Sequence, residues 1–316
     1  MPACKKLLRT NSPSFPIVAM GPPPPDTWAR WFARWFDSLA PSNIDWCEAN
    51  YAISPYVAEF WNAMSSVPMT LVAFYGLYMA RRHMRFEPRW GMAWFLLGIV
   101  GVGSALFHAT LKHAFQACDE LPMLYCNLVF IYLMLEEKSA GRSPPWRVKA
   151  ANLRPPRKRW LAPLLIASGV VQTVCYFLYP HVYELFLVSY VSVVAWLTIE
   201  SVRRAWFAPD ATPLTRTLVK LALVFYLGGA ALWIFENAVC GVKGEMGGGW
   251  WMQAAHLHAF WHAGACMGTY HFIEFCAARR GAALFGAENV SAGGGTLLMP
   301  LYVVHHQTGE GERKRR

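Results

Sequence analysis

The chain has 316 residues, of which 55% are hydrophobic and 15% charged, with a formal net charge of +10. Several apolar runs approach the length that crosses a bilayer core, so the composition excludes an ordinary soluble domain. Nor is the charge a nucleic-acid footprint, because most of the 29 Lys and Arg fall in alternate connections between apolar runs.

Residues 1–20 are basic but lack a continuous apolar core, which predicts no cleavable signal peptide. After a stiff spacer, Pro22 to Pro25, the residues Trp28, Trp31, Phe32, Trp35, Phe36 and Leu39 recur at helical spacing. They predict an amphipathic helix, either lying in the membrane interface or packed on the rest of the protein. Next come Asp45, Trp46, Cys47, Glu48 and Asn50, with Glu59 close behind. Oxygen ligands this dense suit calcium, and equally suit a helix cap with a solvated acidic face; the residues alone leave both open.

Seven apolar helices follow, near 60–80, 91–110, 120–137, 160–179, 182–201, 218–237 and 251–276. The predicted fold is an all-α membrane protein, a bundle of seven transmembrane helices. Arg81 to Arg89, Lys138 to Arg159, Arg203 to Arg216 and the stretch beyond Arg279 follow helices one, three, five and seven. The positive-inside rule then puts these connections and the C-terminus in the cytosol and the N-terminus in the lumen. Helix one carries Asn62, Ser65 and Ser66, polar enough to face the bundle. Helices four and five carry few ionisable groups and read as scaffold or as the wall of a lipid pocket.

Helix two ends in Ser104 and His108, four apart on one face. A short turn with Lys112 and His113 leads to Asp119 and Glu120, which open helix three. In helix seven His258 and His262 stand at i and i+4, the spacing that lets two imidazoles reach one metal ion, while His256 falls on the opposite face. Three imidazoles with a fourth position open make a catalytic zinc site; separate hydrogen-bonding histidines are the plainer alternative. In the predicted orientation Ser104, His108, Asp119, His258 and His262 all lie toward the lumen, on the same side as the acidic stretch. Ionisable groups at membrane depth are costly enough to mark function.

Several blocks carry a family resemblance: Asp-Trp-Cys-Glu-x-Asn from Asp45, Ala-Glu-Phe-Trp-Asn from Ala58, Phe-His-Ala-Thr-Leu-Lys from Phe107, Asp-Glu-Leu-Pro-Met from Asp119 and His-Ala-Phe-Trp-His from His258. In this order they resemble the alkaline ceramidases, over roughly residues 45–277. The resemblance implies a seven-helix hydrolase of the endoplasmic reticulum or Golgi that cleaves the amide of ceramide, a membrane lipid, to a sphingoid base and a fatty acid. It implies zinc on His108, His258 and His262, with catalytic support from Asp119 and Ser104. It also implies calcium at Asp45, the Trp46 carbonyl, Glu48, Asn50 and Glu59. Asp119 then reads as general base and Ser104 as oxyanion donor. Two rivals are a zinc-containing receptor of the adiponectin and progestin type, and a related hydrolase acting on another membrane lipid. The first differs in having a cytosolic N-terminus and no Asp-Trp-Cys-Glu block.

Of eight cysteines, Cys126, Cys175, Cys266 and Cys276 fall in or at the ends of helices, and Cys4 lies in the remote N-terminal stretch. Near the lumenal surface that leaves Cys47, Cys118 and Cys240. A Cys47–Cys240 disulfide is expected, with Cys118, beside Asp119, a packed free thiol. The expected organisation is residues 1–44 as an N-terminal tail with its amphipathic helix, 45–277 as the catalytic bundle, and 278–316 as a flexible cytosolic tail.

Overall fold

The computed structural model describes residues 35–84, 87–139, 159–180, 182–240, 255–295 and 302–306. Among these the long helices are α1 (Phe60–His83), α2 (Pro88–Thr110), α3 (His113–Leu135), α4 (Leu161–Leu178), α5 (Tyr183–Trp206), α6 (Pro213–Cys240) and α7 (Leu257–Phe285). The first six are long and apolar enough to cross a membrane. The last, at 29 residues, carries Glu274, Arg279 and Arg280 in its second half. The proline spacer, most of the amphipathic segment, the middle of the Lys138 to Arg159 connection and the loop after Cys240 lie outside the described residues. The described residues before Pro41 form a unit of their own, in which residues 35–38 make one helical turn.

Two boundaries differ from the sequence reading, and both matter for the site. Asp119 and Glu120 resemble the acidic opening of a helix, but α3 begins at His113, so both carboxylates sit more than a turn inside it and are buried. The chain reverses between α2 and α3 in only two residues, through Leu111 in the left-handed region (φ 48°) and the extended Lys112. That tight reversal leaves α2 and α3 antiparallel neighbours. Gly103 lets them close, because a Cβ there would run into the Cys118 backbone carbonyl. The same approach turns the Cys118 thiol outward: it is free and exposed rather than packed.

The second difference lies after residue 277. The helix continues to Phe285, and the chain then forms an antiparallel pair of strands, β1 (Val290–Gly293) and β2 (Tyr302–His305), with Val290 opposite His305. The expected flexible tail is therefore ordered in its described part. Val303 is fully buried in the main apolar core, and its N–H donates to the buried Glu274 carboxylate at 2.7 Å. One buried apolar side chain and one backbone bond to a buried carboxylate anchor the described part of this stretch.

Glycine also sets the α6–α7 contact. Gly229 and Gly264 face each other so closely that a Cβ on Gly264 would lie 2.8 Å from the Gly229 Cα, the small-residue packing that draws membrane helices together. By contrast α4 and α5 turn apolar side chains such as Ile166, Phe177, Val188 and Ile199 outward.

At the far end of α7, Arg279 and Arg280 are buried and paired. Arg279 binds Glu137 at 2.9 Å and Asp210 at 3.0 Å, and Arg280 binds Glu87 at 3.0 Å. Burial opposes ionisation of Asp210, but Arg279 and Lys138 outweigh it and hold its carboxyl below the usual aspartate range.

Candidate metal centre

The site begins with a problem of helix ends. The last carbonyls of α2 have no partner within the helix, and the segment between Pro41 and Glu59 supplies the donors. Ser42 N–H donates to Leu111 O, Ala58 N–H to Ala109 O and Glu59 N–H to His108 O, at 2.9, 3.0 and 2.9 Å. This stitching lays Glu59 directly against His108. The start of α1 is satisfied from the same segment: Glu48 accepts Trp61 N–H at 2.6 Å and Asn62 N–H at 2.9 Å on its two oxygens.

One ring nitrogen from each of His108, His258 and His262 lies within 4.8 Å of the others, and all three residues are buried. His108 Nδ1 donates to Glu59 Oε2 at 2.5 Å, which leaves the Nε2 lone pair free; that atom is buried without a protein partner. On α1, the Ser65 hydroxyl donates to Asn62 O and is thereby placed to accept from His262 Nδ1 at 2.8 Å. Again Nε2 faces inward, 3.5 Å from Ser104 Oγ. His258 Nδ1 has Glu236 Oε2 at 3.6 Å, and the Trp46 indole stacks on its ring with centroids 4.0 Å apart. The Glu59 carboxylate behind His108 is the support typical of a metal-bound histidine, whereas His258 Nδ1 and Glu236 Oε2 lie beyond hydrogen-bond distance and keep no protein partner. Buried nitrogens left without a protein partner on His108 and His258, beside a His262 ring hydrogen-bonded from behind, fit a metal ion better than separate hydrogen-bonding histidines.

Ser104 and Asp119 join the centre. Ser104 accepts from Ser66 Oγ at 3.0 Å, and the Asp119 carboxylate neighbours both His108 and the Ser104 hydroxyl. His256 stays apart, its ring 5.6 Å from Trp61.

The acidic stretch meets the histidines through Glu59. Its Oε1 accepts Trp46 N–H at 2.8 Å, while Oε2 serves His108 and Asn62. Asp45 lies against Glu59, and burial, followed by that second carboxylate, pushes its pKa up, though Asn50 Nδ2 donates to it at 3.0 and 3.1 Å. Among the described residues the only ion-pair partner of Asp45, Glu48 and Glu59 is the His108 imidazole. Packed carboxylates without a Lys or Arg fit a cation, and a half-turn of the Asn50 amide presents it with a carbonyl oxygen. Glu48 meanwhile acts as the helix cap of the plainer alternative. The Cys47–Cys240 disulfide is present, Cα to Cα 5.8 Å, and ties this stretch to the end of α6.

Sequence reasoning missed Ser65 and Ser66 as supports of His262, Glu236 behind His258, and the Trp46 ring. The serines left a signal, since with Asn62 they share one polar face of α1.

From the centre a cavity of about 520 Å³ runs between the helices, past Phe130, Leu197 and Phe272 to Ser201. Its size is that of a small-molecule site and its walls are mostly apolar. Fold and centre together define a helical membrane protein with three buried histidines that could hold a metal ion, beside a mostly apolar pocket. The chain belongs to the ceramidase family: the family model, described as Ceramidase, matches residues 39–284. It is 30% identical to alkaline ceramidase 3 of Mus musculus over 242 residues, covering 74% of this chain and 82% of the mouse protein. It is 30% identical to the alkaline ceramidase of Arabidopsis thaliana over 246 residues, 76% and 85% of the two chains. With an alkaline ceramidase of Saccharomyces cerevisiae it shares 29% over 247 residues, 73% and 74%. Members of this family are hydrolases, which separates the chain from the receptor reading.

Proposed function

We propose that this protein hydrolyses the amide bond of ceramide in a zinc-dependent reaction, releasing a sphingoid base and a fatty acid. One observation carries the reading: three buried imidazoles each bring a nitrogen within 4.8 Å of the others, and two of them, His258 and His262, line an apolar cavity. Zinc held by His108, His258 and His262 supplies Lewis acidity and makes water a usable nucleophile near neutral pH. The chain's own groups do the rest. Asp119 takes a proton from the attacking water and returns it to the departing amine nitrogen. The Ser104 hydroxyl donates to the amide oxygen as negative charge develops there. Glu59 and Ser65 hold the rings of His108 and His262 and the Trp46 indole stacks on His258, and the cavity takes the lipid chains and excludes bulk water.

Calcium on Asp45, the Trp46 carbonyl, Glu48, Asn50 and Glu59 fits the same reading as an organising ion, because Glu59 touches both clusters. All seven helices then cross the membrane of the endoplasmic reticulum or Golgi, with the N-terminus and active site toward the lumen and the C-terminus in the cytosol. The Cys47–Cys240 bond supports that side for the acidic stretch, since disulfides persist in an oxidising compartment. The test is incubation of the pure protein with ceramide, with chelator, and after zinc is restored. Turnover that is lost and regained supports the reading; chelator-resistant turnover overturns zinc, and turnover of other lipid amides alone overturns ceramide.

A further inference from the structure

A second cavity of about 190 Å³ lies beside the first, and Glu120, Tyr183 and Phe186 line both, so these three side chains form the partition. The small cavity reaches Asn43 and Pro180 in the connections at the histidine end of the helices. It is also the more polar in its lining, with Gln116, Gln172 and Tyr176. Glu120 is 5% exposed, and its carboxylate is held from the small-cavity side. Tyr176 Oη donates to Oε2 at 2.6 Å and Gln116 Nε2 donates to Oε1 at 3.1 Å. Its chain neighbour, Asp119, lines the large cavity with Ser104 and lies near His108. Within the small cavity Gln172 Oε1 is buried without a protein donor.

Each turnover of an amide hydrolase consumes one water. The water oxygen bonds to the acyl carbon as the C–N bond breaks, and one of its hydrogens leaves on the amine. A lipid filling the large cavity closes that path to water. Water occupies about 30 Å³ per molecule in the liquid, so a polar cavity of this size holds a few. We propose that the small cavity admits the hydrolytic water, and that Glu120 is the positioning residue that passes it through the partition to Asp119. The proposal rests on the hydrolytic reading above.

Cys175 is free and lines the small cavity, which allows the route to be blocked in folded, zinc-loaded, full-length protein. Labelling Cys175 with a methanethiosulfonate reagent, or filling the cavity by Gln172→Phe, is expected to lower kcat roughly tenfold or more. KM for ceramide should change by less than about twofold, the pattern of a lost step rather than lost binding, with zinc content unchanged. Cys118 is also free and exposed, so the labelling is done in a Cys118→Ser background; there Cys175→Ser protein should be insensitive to the reagent, and Glu120→Gln should lower kcat in the same way, with partial rescue by Glu120→Asp. Full labelling by mass with turnover at the unlabelled rate, or wild-type turnover in Gln172→Phe, overturns the route. A raised KM at constant kcat also overturns it and makes the small cavity a lipid subsite. Absence of ceramide turnover in the unmodified protein removes the hydrolytic reading itself, and the route with it.

Discussion

The two ends of α7 bury polar groups to a similar depth and use them in opposite ways. At its end, Arg279 and Arg280 donate to Glu137, Asp210 and Glu87 and to backbone carbonyls, so each buried cation is neutralised. At its start, His258 and the facing His108 are equally buried but retain nitrogens without protein partners. Burial alone therefore does not mark a functional group. Leftover bonding capacity gathered in one cluster is the better marker, because an unsatisfied buried atom costs about 1–3 kcal/mol and at the histidine end the partnerless nitrogens of His108 and His258 lie close together.

The largest expected effect breaks the histidine end outright. His262→Ala removes one of three ligands, so bound zinc should fall by about one equivalent per chain and amide hydrolysis should disappear with it. Metal analysis on the purified variant decides; full zinc in all three single His→Ala variants would remove the site.

Asp119→Asn sharpens the comparison, because it separates ligand from base. The variant should keep its zinc and lose on the order of 10²- to 10⁴-fold in kcat, the usual contribution of a positioned acid–base group. Loss of metal in this variant would move Asp119 into the coordination sphere.

Glu59→Gln acts from behind His108 and should weaken zinc by roughly 10- to 100-fold without abolishing binding, as loss of a supporting carboxylate does. Competition with a chelator of known affinity measures it, and an unchanged affinity would reduce Glu59 to an acidic-cluster residue.

The smallest effect belongs to the other end. Asp210 lies in the connection between α5 and α6, and its pKa is depressed in the folded protein, so its contribution to stability is present above the ordinary aspartate pKa. That contribution is lost as pH falls through the lower, folded value. Asp210→Asn should lower the melting temperature slightly at pH 6 and progressively less as pH falls through the depressed folded value, with zinc content and kcat unaffected. A metal-dependent change in this variant would show that the two ends are coupled.

Much of this was legible in the sequence. The apolar runs gave the helices, and the i, i+4 histidines with His108 and Ser104 gave the centre, because both signals repeat at helical spacing. What stayed hidden depends on neighbours distant in the chain. Glu59 lies 49 residues from its partner His108, and Ser65 lies 197 from His262. No periodicity connects such pairs. The start of α3 was misplaced because Asp119 and Glu120 carry the charge pattern of a helix opening while serving the interior. In the described part of the tail, the buried Val303 and its backbone bond to Glu274 hold a stretch whose composition is polar.

The metal set also has a timing. Its ligands come from α2 and from α7, so the site is divided between an early and a late part of the chain. At a synthesis rate of about 5–20 residues per second, the interval between His108 and His262 leaving the ribosome is on the order of ten seconds. If the proposed zinc is held by these histidines, then during that interval α1, α2 and the Glu59–His108 contact offer only one imidazole, too few ligands to retain it. The nascent chain is thus inert toward the lipids around it until its last long helix is in place, and a product truncated before His258 can enter the membrane without acquiring the activity.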